Sequence, residues 1–152
     1  MPADNRELIN YFTKLRELHE HGMGVSRRIL SECHLGNDVD LAHRIDINRS
    51  GESIAVSSIH RIAISVGPDF ERSNEVSITL TIHIKNDSCS SSLHIHAEID
   101  AALGCLNEGG NELLTRRGEH PMVSEAIDRL ERDLKELPDF SVLLGPLVLP
   151  HP

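Results

Sequence analysis

From position 76 onward the chain alternates. Val76, Ile78, Leu80, Ile82 and Ile84 are apolar, and Ser77, Thr79, Thr81, His83 and Lys85 beside them are polar. After Asn86 to Ser91, which predicts a turn, the alternation resumes with Leu93, Ile95, Ala97 and Ile99 against His94, His96, Glu98 and Asp100. A period of two is that of a strand with one buried face, so these segments predict the two arms of a hairpin. A tight connection would set His83 roughly opposite His94. Upstream, Leu41, His43, Ile45 and Ile47 share one side of another strand, and Asn48-Arg49-Ser50-Gly51 predicts a hairpin turn. Ile54, Val56, Ile62, Ile64 and Val66 then share one face of the next strand, which Gly67-Pro68-Asp69 ends. Ser58 and His60 interrupt that apolar series and predict a bulge or short break near Ser57–His60.

At both ends of the chain the period changes to that of a helix. Leu8, Phe12, Leu15 and Leu18 predict a helix from about Asn5 to His21, with Asp4 and Glu7 as its capping box. Gly22 and Gly24 are expected to end it, because glycine accepts the left-handed turn there. Val25 to Cys33 then reads as a strand. Residues 101–120 hold Gly104, Gly109, Gly110 and Gly118, which predicts loop with one short edge strand at Glu112–Arg116. Pro121 suits the start of a second helix, whose stripe is Val123, Ala126, Ile127, Leu130, Leu134 and Leu137, with Pro138 as its stop. Its charged residues, Glu125 to Asp133, are expected to be solvated. Residues 138–152 form an apolar, proline-rich tail including Leu144 and Leu147, too apolar to stay in water. It reads as a strap across the domain or as a docking segment.

These elements predict an α+β fold in one domain spanning 1–152: an N-terminal helix, an antiparallel meander of four to six strands, and a C-terminal helix on the same sheet face. The order of helix, strands, helix does not suit a parallel doubly wound sheet.

Composition narrows the function classes. Aromatic residues make up only 3% of the chain, so a stacking platform for single-stranded nucleic acid is not expected. The formal net charge is −9, and no basic stripe offsets it, which argues against nucleic-acid binding and for solubility or attraction of a basic partner. No run approaches the eighteen or so apolar residues of a membrane span, and the first twelve residues lack a signal-peptide core. Three cysteines, Cys33, Cys89 and Cys105, without a CxxC pair suggest reduced thiols and a cytoplasmic setting.

No GxSxG elbow, phosphate-binding loop, dinucleotide fingerprint or HExxH pair occurs. His19-Glu20-His21 and Cys33-His34 read as ordinary polar positions. The candidate for chemistry is His94-x-His96, whose rings leave one strand face, joined by His83 from the neighbouring strand and extended by Glu98. Three imidazoles reaching one point, with a carboxylate nearby, suit a divalent transition metal with an open position. The segment resembles part of the metal-binding strand of cupins, but the Glu spacing differs and flanking glycines are missing. The same outward face is otherwise small and uncharged, with Thr79 and Thr81 at its centre. Such a face loses little on desolvation and suits contact with a partner.

Three readings follow. The first is a non-enzymatic acidic protein that binds another protein. In general character it resembles immunity proteins of bacterial toxin systems and phage-encoded inhibitors, which implies a basic enzyme or toxin as partner. The second is a metal-binding protein, or a metal-dependent enzyme, using His83, His94 and His96. The third is a structural subunit that forms a homodimer or larger assembly through the sheet face or the tail.

Overall fold

A computed structural model describes residues 5–32, 39–66, 72–86, 88–98 and 111–138. The first element, α1, runs over Asn5–Glu32. Five strands follow: β1 Val39–Ser50, β2 Ser53–Val66, β3 Arg72–Lys85, β4 Ser88–Glu98 and β5 Asn111–His120. The second helix, α2, spans Val123–Lys135. The strands form one antiparallel sheet in sequence order. Both helices lie on the same face, α1 over β2 and α2 over β4 and β5. The α+β architecture expected from periodicity is therefore present.

The sheet's inner face carries the alternating apolar positions. Ile62, Val76, Ile78, Leu80, Ile82, Leu93 and Ile95 are buried there against Leu18, Val25 and Ile29 of α1 and Ala126, Ile127, Leu130 and Leu134 of α2. The core is aliphatic, as the shortage of aromatic residues requires. Asp133 of α2 is also buried and accepts from the Arg129 guanidinium at 3.1 Å, one turn earlier on the helix. That part of the charged stripe is thus packed, not solvated.

Two local expectations fail in α1 and β2. The helix does not stop at Gly22 and Gly24; it continues to Glu32, over the described part of the stretch read as a strand. Two glycines cost a helix about 2 kcal/mol. Burying Val25 and Ile29 returns roughly 1.5–3 kcal/mol each, so packing outweighs propensity. In β2 no bulge forms. Its pairing with β1 and β3 runs unbroken past Ser58 and His60, which point into the core.

The hairpins are tighter than expected. Gly51, at φ 59°, and Glu52 connect β1 to β2. Asn86, also at positive φ, begins the short connection between Lys85 and Ser88. Among the described residues the one register shift lies between Ile95 and His96, where β4 meets β5. β5 itself is longer than the predicted Glu112–Arg116. The expected turn at Gly67–Asp69 and the tail with Leu144 and Leu147 lie outside the described residues. No helix among the described residues is long and apolar enough to cross a membrane.

Candidate functional site

Four polar side chains meet where α1 crosses β1 and β2. The three on strands come from inward-facing positions, so the alternation that builds the core also turns them inward, with Ser58 and His60 buried. His43 of β1 lies directly across from His60 of β2. Their Nδ1 atoms are 2.7 Å apart. The other nitrogen of His60, Nε2, is 2.7 Å from the Ser58 hydroxyl, and that hydroxyl is 2.7 Å from His19 Nδ1 on α1. The result is one continuous chain, His43–His60–Ser58–His19. The His60 ring stacks at 4.8 Å from His19 and 4.9 Å from His43, centroid to centroid.

His60 is fully buried, and α1 makes room for it at Gly22. A Cβ at that position would lie 2.2 Å from His60 Nε2. Gly22 is therefore a close-approach glycine, which lets the helix backbone sit on the imidazole. On the next turn Ser26 donates its hydroxyl to the Gly22 carbonyl at 3.1 Å.

Burial pushes the His60 pKa down to about 3, helped by the neighbouring His19 and His43. His43 is also lowered, first by burial and then by His19 and Arg27. Near neutral pH both rings are neutral, so every link needs one donor and one acceptor. Two arrangements satisfy that while also using the Ser58 hydroxyl proton within the chain. In one, His60 Nδ1–H donates to His43, the Ser58 O–H donates to His60, and His19 N–H donates to Ser58. In the other, all three bonds reverse. The chain is fully satisfied in either direction, as a buried polar group must be.

A hydroxyl bonded to an imidazole that a third group orients has the outline of a nucleophile and its base. The His60 pKa argues against that imidazole as the base. A base near 3 takes a proton poorly from serine at neutral pH. The chain is better suited to fixing the spacing of helix and sheet. It also misses a metal. His60 spends its two nitrogens in opposite directions, and no group of three or more His, Cys, Asp or Glu among the described residues is arranged to hold an ion.

Beside this chain a groove of about 280 Å³ opens between the first half of α1 and the β1–β2 hairpin. Ser58 reaches its floor, and Phe12, Leu15, Ile45, Ile47 and Val56 are among its walls. Phe12 is 67% exposed, Ile47 72% and Ile45 49%. Large apolar side chains lining one concavity and left in water offer a surface on which apolar groups of a ligand or another chain can be buried.

The outward residues singled out from the sequence fall elsewhere. His83, His94 and His96 do share the outer sheet face, but the tight β3–β4 connection sets His83 opposite Ser90, not His94. His94 faces Thr79 and His96 faces Ser77. His83 thus stands four residues along β3 from the point opposite His94, ~13 Å at strand rise, so the three rings do not converge. His94 Nδ1 instead bonds the Glu112 carboxylate of β5. Thr115 and His94 hold that carboxyl below its usual range. Thr79 and Thr81 are half-buried mid-sheet, with Thr81 hydrogen-bonded to Ser57 at 2.9 Å. His19, read as an exposed polar residue, is a member of the inner chain. His21 bonds Glu131 of α2 at 2.5 Å. The signal for the inner group lay in the sequence: His43 and His60 both sit at apolar-phase positions of their strands. No family model matches the chain, nor does any curated protein or solved structure match it.

Proposed function

We propose that the protein is a non-enzymatic acidic binding protein, and that its contact with another protein is made through the apolar groove between α1 and the β1–β2 hairpin. The observation that carries this reading is the exposure of Phe12, Ile45 and Ile47 around one concave surface. A formal charge of −9 adds long-range attraction for a basic partner, which raises the encounter rate, while the groove supplies the desolvated contact. Apolar anchors inserted into a groove are the usual energetic centre of such contacts.

The test is recovery of a partner from the native cell with the wild-type chain and with a Phe12→Asp, Ile47→Asp variant. A protein recovered in stoichiometric amount by the wild type and lost by the folded variant supports the groove. Equal recovery by both moves the contact elsewhere. Recovery of nothing but the chain itself replaces this reading with self-association.

A further inference from the structure

We propose that the free edge of β1 pairs antiparallel with β1 of a second copy, joining two five-stranded sheets into one. The inference goes beyond the groove, since it concerns backbone and outer-face groups that the groove does not use.

The two edges of the sheet differ. β5 carries Arg116, Arg117 and Glu119, is packed by α2, and follows a register shift at Ile95 and His96. Such features defend an edge against unwanted pairing. β1 also carries charges, Arg44, Asp46 and Arg49 among them, but its pairing has no such shift. Its register with β2 runs unbroken from Val39 to Ser50, it contains no proline or lysine, and among the described residues no strand pairs with its outer side. Every residue from Arg44 to Ser50 is exposed, including Ile45 and Ile47.

The backbone of that edge is set for a partner. The two-residue turn makes Ser50 and Ser53 a hydrogen-bonded pair. Successive residues point their N–H and C=O to opposite sides, so Leu41, His43, Ile45 and Ile47 turn theirs away from β2. A second β1 related by a two-fold axis through Ile45 would meet those groups in register. It would also keep the apolar face on the same side in both copies, joining the two grooves.

Charge selects that register. Arg44 and Asp46 lie on the outer face, 3.4 Å apart within one strand and more than half exposed. Centred on Ile45, Arg44 stands opposite the partner's Asp46, and Asp46 opposite the partner's Arg44. Both are non-hydrogen-bonded positions, where side chains approach most closely. Centring on Arg44 or on Asp46 instead would put like charges face to face. The Ile45 register also pairs every position from Asp40 to Ser50.

Light scattering on the size-separated full chain at micromolar concentration tests this. The expected particle has twice the 16.9 kDa chain mass. Arg44→Asp and Asp46→Arg, each alone, remove two ion pairs per dimer and create two repulsions, so each weakens association roughly tenfold. The double variant restores opposite charges across the axis and recovers the dimer. Circular dichroism confirms that all three are folded. A monomeric wild type overturns the proposal and leaves the groove reading standing. A dimer indifferent to the single swaps, or a double variant that fails to recover, also overturns it.

Discussion

Gly22 and Gly24 are two residues apart on one helix and should respond oppositely to alanine. Helix propensity alone favours the change at both by about 0.5–1 kcal/mol. At Gly24 nothing lies within 4 Å of the added Cβ, so Gly24→Ala should raise the unfolding midpoint. At Gly22 the new carbon meets His60 Nε2 at 2.2 Å, and the ring has no room to retreat without breaking its bonds to Ser58 and His43. Gly22→Ala should therefore destabilise by roughly 1–3 kcal/mol. Denaturant unfolding of both variants checks this, and a stable Gly22→Ala would mean that helix and imidazole are not in contact. The same imidazole sets a pH dependence. A histidine held neutral in the fold but free to charge when unfolded contributes stability that is intact above the unfolded pKa near ~6.5 and is lost as pH falls toward the folded value of about 3. Each proton taken up on unfolding steepens the loss by about 1.4 kcal/mol per pH unit within that window. His60→Leu should flatten the slope between pH 6 and 5 by about one proton, as read from denaturant midpoints. An unchanged slope would show that the ring is not buried neutral.

At the scale of elements, the strands were legible because a period of two admits few alternatives. Val76 to Ile84 and Leu93 to Ala97 alternate without error, and the structure buries the apolar members of that set, Ile84 only in part. Legibility failed where one residue answers to two demands. Gly22 reads as a helix stop, yet it serves a close approach that only the tertiary structure reveals. His60 reads as a polar interruption, yet the chain to Ser58 and His43 satisfies it inside. The expected pairing of His83 with His94 failed over the length of one connection: the two share a face, but the tighter turn slides one past the other. The continuation of α1 carries its own prediction. Ile29 is buried on the helix face that also presents Leu18 and Val25, so Ile29→Ala should cost about 2–5 kcal/mol. Ala at the exposed neighbour Arg27 should cost within about 0.5 kcal/mol. Had Val25 to Cys33 been a strand, burial would alternate, and Arg27 would share a face with Val25 and Ile29.

For the whole molecule, the useful contrast is between apolar residues that hold the fold and apolar residues the fold leaves in water. Leu18 and Ile82 are buried and line the base of the groove, while Phe12 and Ile47 stand at its walls with about two-thirds or more of their surface exposed. A side chain that stays hydrated in the folded state gains little from folding, so Phe12→Ser and Ile47→Ser should move stability by no more than about 0.5 kcal/mol each. Leu18→Ala, by comparison, should cost about 2–5 kcal/mol. If the groove is a contact surface, the ranking for binding reverses. An apolar fluorescent dye should bind the native chain, and the Phe12→Ser, Ile47→Ser pair should lose most of that signal with an unchanged unfolding midpoint. A pair that loses both stability and dye binding would place these residues in the core's service. A pair that keeps the dye would show that the exposed walls are not where apolar ligands settle.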